Sequence, residues 1–192
     1  MVDLVGLHKH FIMEHLREGD VAVDFTMGNG NDTLFLSRAV GESGRVYAFD
    51  IQEDALTSTR EHLKTNGAPE NYTLICASHH RVKEFVSGPI KAGMFNLGYL
   101  PRSGRKAVTT MRETTMPAVE AALELLAPDG VLIVAIYPGH EEGALEGEML
   151  REYFSGLSKY RICPSEFKIL NSPTSPYFFL VEKSPKAKFG EI

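Results

Sequence analysis

Two short stretches hold the residues best suited to chemistry. DFTMGNGNDT (24–33) sets a carboxylate, two glycines and further polar residues in one segment, and MFNLGYLP (94–101) ends an apolar run in an amide, a glycine and a tyrosine. In the first, Gly28 and Gly30 let the backbone turn tightly and admit a ligand to close range. Asn31 or Asp32 can cap a helix that follows. Asp50 closes the next apolar run, 22 positions after Gly28. A carboxylate there can accept both ribose hydroxyls of a nucleotide. Glycine loop and acid together point to a nucleoside-containing ligand.

Charge narrows the choice. Asp24 stands four residues before Gly28, where a carboxylate repels a pyrophosphate and attracts a cation. The third position of a dinucleotide fingerprint is Thr33 rather than Gly or Ala. S-adenosylmethionine carries a sulfonium and an α-ammonium there and no phosphate, so the pattern favours it over NAD. A competing reading has Asp24 capping the amides of its own loop.

The second stretch suits methyl transfer to an amine. An attacking amine needs its lone pair aimed and its hydrogens held, which the Asn96 carbonyl and a nearby backbone carbonyl can do. Gly98 lets the chain approach a substrate, and Tyr99 can stack on a base. The plainer alternative is a strand-ending Asn, a turn Gly and a core Tyr. NLGY resembles the Asn-Pro-Pro-Tyr motif of amino-group methyltransferases. Further on, YPGH (137–140) brings Tyr137 and His140 to the end of another apolar run. His140 can act as a base or touch phosphate, and a positioning role is favoured. In CASHH (76–80), Ser78 and His79 fall where a loop borders a nucleobase. His79 and His80 diverge by about 100° on a helix, so no shared metal is expected. His8 and His10 are read as solvent-facing. Cys76 and Cys163 lie in apolar runs without a C-x-x-C, and buried structural thiols are expected.

These residues need a scaffold. VAVDFT (21–26), RVYAFD (45–50), YTLICA (72–77), AGMFNL (92–97) and VLIVAIY (131–137) read as strands. Helical patterns near 32–40, 53–66, 79–87 and 106–126 separate them, which predicts β-α-β units on a parallel sheet. A helix near 141–158 follows. The runs YRICPSEFKIL and YFFLVEK are then joined only by NSPTSP, too short for a crossover helix, so they should pair antiparallel. The fold class is α/β, a Rossmann-like, mostly parallel seven-stranded sheet with a C-terminal hairpin. The opening segment reads as an amphipathic helix within 1–19, with Leu4, Leu7, Phe11 and Leu16 on one face and Gly19 placed to end it. The tail 184–192 is expected to fray. The 192 residues suit one domain.

Composition sets outer bounds. With 43% apolar and 23% charged residues the chain is an ordinary globular sequence. No window approaches the roughly 20 apolar residues of a membrane span. The start lacks a signal-peptide pattern, so no membrane partner and a cytoplasmic location are expected. A net charge of −5 argues against a general nucleic-acid coat. Arg102, Arg105, Lys106 and Arg112 form the one dense basic cluster, either a local patch for a polyanion or a solvated face.

DFTMGNGNDTLFLS, FDIQEDAL, ASHH, FNLGYLP and IYPGH together resemble the YtqB-type family, long labelled rRNA methylases, whose members act as MnmM-type tRNA methyltransferases. The resemblance covers nearly the whole chain and implies the class I methyltransferase fold. It implies transfer of a methyl from S-adenosylmethionine to the amine of 5-aminomethyl-(2-thio)uridine at the wobble position of a tRNA anticodon stem-loop, with S-adenosylhomocysteine as product. It places cofactor contacts on Asp24, Gly28, Asn29, Asp50, Gln52, Ser78 and His79. Thr26, Gly30, Asp32, Thr33, Ile51 and Asn96 are counted with them. Asn96, Leu97, Gly98 and Tyr99 would lie beside the target amine, with Arg102, Arg105, Lys106, Tyr137, His140 and Asn171 on the substrate side. Asn96, Tyr99 and His140 are the candidate catalytic residues. A homodimer is entertained as the assembly, on no particular residue. Two loops depart from the family pattern. Pro101 is followed by RSGRK instead of Gly-Gly-Asp-Lys, and NSPTSPY stands where an Asn with a Pro-Pro pair is usual. Three other functions compete: methylation of a small-molecule amine, NAD-linked oxidation, and non-catalytic nucleotide binding.

Overall fold

A computed structural model describes residues 3–97, 110–139 and 141–192. Strands of four to eleven residues, rich in Val, Ile, Phe and Ala, stand at the centre of the molecule. In chain order the elements are α1 (Leu4–His15), β1 (Val21–Asp24), α2 (Asn31–Val40), β2 (Arg45–Asp50), α3 (Glu53–Thr65) and β3 (Tyr72–Cys76). A 3-10 turn (His79–Arg81) leads into α4 (Val82–Phe85). Then come β4 (Ile90–Leu97), α5 (Arg112–Leu125), β5 (Leu126–Ile136), α6 (Glu141–Ser155), β6 (Ile162–Phe167) and β7 (Tyr177–Lys183).

The seven strands form one sheet in the order β3-β2-β1-β4-β5-β7-β6. The first five are parallel, and β7 enters antiparallel between β5 and β6. Chain order reverses between β1 and β4. The ends of those strands therefore diverge into a crevice, the position at which open α/β sheets take their ligands. Both sheet faces are covered. Phe25, Phe49, Phe95 and Leu97 pack with residues of α4, α5 and α6 in one cluster. Ile12, Leu16, Leu36, Val40 and Phe178 pack in the other, which seats α1 and α2. Among the described residues, no helix is long and apolar enough to cross a membrane.

Several expectations are corrected here. The first helix ends at His15, before Gly19, because the Arg17 guanidinium donates to the carbonyls of Met13, Glu14 and Leu16. The predicted helix 79–87 is a 3-10 turn and one short helix. The fifth strand starts at Leu126 rather than 131, because a register shift between Ile90 and Ala92 absorbs APDG. The tail packs on the body: Ala187 is buried, Ser184 N–H donates to Arg161 O at 2.7 Å, and Gly190 N–H to Glu124 O at 3.2 Å. Cys76 and Cys163 are exposed, not buried. They sit on β3 and β6, the two edge strands, where a side chain can face solvent.

Candidate functional site

The crevice opens into a cleft of about 850 Å³ above the C-terminal ends of β1, β2, β3, β4 and β5. Its floor is the loop from β1 to α2. Two bends at positive φ, Gly28 at 51° and Gly30 at 82°, fold this loop back on itself. A side chain at Gly30 would meet Thr59 of α3 at 2.9 Å, so glycine is required there for helix packing. Helix α3 also grips the loop directly. Thr59 Oγ1 donates to Gly28 O at 3.0 Å, and Ser58 Oγ to Asn29 Oδ1 at 3.1 Å.

Asp24 lies wholly buried beneath this loop and outside the cleft lining. It accepts from the Thr26 amide at 3.1 Å and from the Thr33 hydroxyl at 2.6 Å. Burial foremost, with the nearby Asp32 charge, pushes its carboxyl from 3.8 up to about 7. Below the lower value, folded and unfolded chains both hold the proton. Between the two values only the folded chain does, so stability falls as pH rises through that window. Asp24→Asn removes the charge and keeps an acceptor for Thr26. Its melting temperature should therefore gain on the wild type as pH rises from about 5 to about 8 in thermal melts. A difference that does not move with pH would contradict this account of Asp24.

Three further polar groups converge above the loop. Asp50 Oδ2 accepts from Gly28 N–H at 3.1 Å and Oδ1 from Gln52 N–H at 3.0 Å. Burial raises its carboxyl above the ordinary carboxylate value, against those hydrogen bonds. Asp32 opens α2. The expected cap by Asn31 or Asp32 is not made, because both lie inside the helix and Gly30 is the N-cap, with no side-chain bond. Asp32 Oδ1 instead faces Lys9 Nζ of α1 at 3.2 Å, and Oδ2 accepts from Asn96 Nδ2 at 2.5 Å. Asn96 is held on three sides. Its backbone N–H donates to Thr26 Oγ1 at 2.7 Å, and its Oδ1 accepts from the Tyr137 hydroxyl at 3.3 Å. Burial and the Asp32 charge raise the Tyr137 phenol. The amide thus links β4 to α2 and to the end of β5.

The far wall is less polar. Phe49, Ile51 and Ala77 line it, and Ile51 is 58% exposed there. His79 Nδ1 lies 3.2 Å from Phe25 O, and the ring meets Phe95 edge-on. Burial lowers His79 to about 4, so the ring is neutral near pH 7. A neutral ring facing a carbonyl must carry its proton on Nδ1. Ser78 pairs with the exposed His80 at 2.8 Å. Among the described residues no group of three or more His, Cys, Asp or Glu could hold a metal.

Of the residues proposed from sequence, Thr26, Gly28, Asn29, Asp32, Asp50, Ile51, Gln52, Ser78, His79, Asn96 and Tyr137 line the cleft. Asp24, Gly30 and Thr33 support it from below. The Leu97 side chain is fully buried in the core, and Asn171 is exposed on the β6–β7 connection, away from the cleft lining. Gly98, Tyr99, Arg102, Arg105, Lys106 and His140 lie outside the described residues. Sequence reasoning missed His8, Lys9, Thr110, Met111 and Thr114, which also line the cleft. His8 is a correction: it is 3% exposed, because α1 packs with that face toward β7 and Phe178. Packing between distant elements places these threonines: buried Glu146 of α6 accepts from Thr110 at 2.8 Å and from Thr115 at 2.5 Å, fixing the start of α5, where Thr114 donates to Met111 O at 3.0 Å.

Comparison with known proteins gives a consistent picture. Residues 46–183 match the family model described as "Putative rRNA methylase". The chain is 36% identical over 185 residues to the chloroplastic tRNA (mnm(5)s(2)U34)-methyltransferase of Arabidopsis thaliana. That match covers 91% of this chain and 67% of the plant protein. A crystal structure of a protein of the family's description from Clostridium thermocellum superposes with a TM-score of 0.91 at 38% identity, covering 95% and 98% of the two chains. SMU.1697c of Streptococcus mutans, crystallised with S-adenosylhomocysteine, gives 0.86 at 35% identity, covering 95% and 99%.

Proposed function

From the premise that this chain belongs to the rRNA methylase family and is an S-adenosylmethionine-dependent methyltransferase of class I fold, we propose that it methylates a tRNA. The acceptor is the primary amine of 5-aminomethyl-(2-thio)uridine at the wobble position of the anticodon stem-loop. The observation that carries this reading is Asn96, an amide in the cleft lining oriented from both ends by Asp32 and Tyr137. Similarity to the plant tRNA enzyme over most of the chain supports the nucleic-acid substrate.

The residues of the cleft fit the cofactor. The floor carries Asp50 and Asp32, with buried Asp24 below, while the far wall is apolar. That distribution suits a cation joined to a nucleoside. When bound, S-adenosylmethionine supplies an electrophilic methyl group on a sulfonium. Asp50 would accept from the ribose hydroxyls, Ile51 and His79 would border the adenine, and Asp24 would hold the floor in shape from beneath through Thr26 and Thr33. Asn96 Oδ1 and a neighbouring backbone carbonyl hold the hydrogens of the incoming amine, which aims its lone pair. Such alignment is the larger part of what the protein can add to a displacement of this kind. Tyr99 would stack on the base, and His140 would position the substrate.

The cytoplasmic tRNA pool is the proposed site of action; the plant relative is described as chloroplastic. A small-molecule amine is the second reading, favoured by the net charge of −5. Incubation with methyl-labelled S-adenosylmethionine and either bulk tRNA or a metabolite extract separates the two. Label is expected in tRNA taken from cells that lack this methylation. Label confined to small metabolites would overturn the tRNA reading.

The basic cluster after Pro101 bears on RNA alone. Reversing Arg102 and Arg105 to Glu should weaken tRNA binding and flatten its dependence on salt. Affinity for S-adenosylmethionine should hardly change. Unaltered tRNA affinity in a salt titration would reduce the cluster to a solvated face.

A further inference from the structure

Lys9 is a charged cleft residue that neither the sequence motifs nor the proposed chemistry has used. It projects from α1 onto the cleft wall and pairs with Asp32 at 3.2 Å, the two side chains being 30% and 14% exposed. Beside it the first turn of α2 has no side-chain cap, and Asn31 and Asp32 of that turn line the cleft. The amides of an uncapped first turn have no partner within the helix and favour an anion. One wall therefore presents a cation, an anion-seeking helix start and a carboxylate within a few ångströms. Asp32 retains acceptor capacity, since each carboxylate oxygen takes more than the one bond it makes to Lys9 or Asn96.

We propose that Lys9 and Asp32 together recognise the zwitterionic amino-acid end of S-adenosylmethionine. Lys9 Nζ and the start of α2 take the α-carboxylate, and Asp32 takes the α-ammonium. The signs are complementary. The ion pair on the wall offers a cation next to an anion, and the ligand offers its carboxylate and ammonium on one carbon. Replacing one ion pair by two leaves no net charge stranded in the cleft. This rests on the cofactor reading, and it assigns the first helix a part in binding. The alternative is that Lys9 merely struts α1 against α2.

The test compares two ligands by calorimetry on the full chain: S-adenosylmethionine and its decarboxylated form, which keeps sulfonium and ammonium but lacks the carboxylate. The wild type should prefer the intact cofactor by about tenfold or more, the worth of a charge-assisted contact. Lys9→Met should erase most of that preference, and Lys9→Arg should keep it. Loss of Lys9 also frees Asp32 for the ammonium, but both ligands carry that group, so the effect cancels in the ratio. A Lys9→Met protein that weakens both ligands equally, or neither, overturns the proposal and leaves Lys9 a strut. If Lys9→Met does not fold, Lys9→Gln gives the same reading. A wild type that binds both ligands equally overturns the proposal without any variant. Failure to bind either ligand would sink the cofactor reading with it.

Discussion

Asn96→Ala is expected to slow single-turnover methyl transfer by about a hundredfold or more while leaving the fold intact, because orientation of attacker and methyl supplies several kcal/mol of barrier reduction. The backbone amide that pairs with Thr26 survives the change, so the end of β4 stays anchored. What disappears is the side-chain link between Asp32 and Tyr137. Asp32 keeps Lys9 as a partner, so affinity for S-adenosylmethionine should stay near the wild-type value. Asn96→Asp is the informative companion. It sets a second carboxylate where the amide now stands 2.5 Å from Asp32. Like charges that close cannot both ionise freely, so one of the pair holds a proton to higher pH. Partial activity with a displaced pH profile is expected. Wild-type turnover in Asn96→Ala would reduce Asn96 to a residue that ends a strand.

Asp50→Ala should show the opposite division, with the loss falling on cofactor affinity. Two hydrogen bonds from ribose to a charged acceptor are worth about 1.5–3 kcal/mol each at most and do not add. Binding of S-adenosylmethionine should weaken by roughly tenfold to several hundredfold. A second contribution comes from within the protein. Asp50 holds the amides of Gly28 and Gln52, and the loop they belong to forms the cleft floor. Asp50→Asn retains oxygen for one of those amides and should fall between wild type and Ala. Calorimetry that finds all three proteins alike would remove Asp50 from the cofactor site.

Much of this arrangement was legible in the residues. Short apolar runs alternating with amphipathic ones encode the parallel sheet, because strands buried on both faces have to be continuously apolar. NSPTSP, too short for a crossover, encodes the antiparallel hairpin. Gly28 and Asp50 could be paired across 22 positions because a turn at the end of β1 and an acid at the end of β2 have to be neighbours in such a sheet. Contacts set by packing between distant elements were not legible. His8 belongs to a helix with polar and apolar residues on both sides, and only the docking of α1 on β7 decides that it faces inward. Lys9 meets Asp32 for the same reason. Asp24 has the residue type expected of a cation site, but the chain bends so that its own loop and the first turn of α2 take both carboxylate oxygens. The exposed cysteines follow from strand order, which periodicity alone does not reveal.

The account is tested most directly by mass spectrometry of nucleosides from tRNA treated with the protein and S-adenosylmethionine. The tRNA should come from cells lacking this modification. One added methyl on 5-aminomethyl-(2-thio)uridine at the wobble position, with S-adenosylhomocysteine formed in equal amount, is the predicted result. S-adenosylhomocysteine formed while that nucleoside stays unmethylated, or a methyl on any other nucleoside, would contradict it.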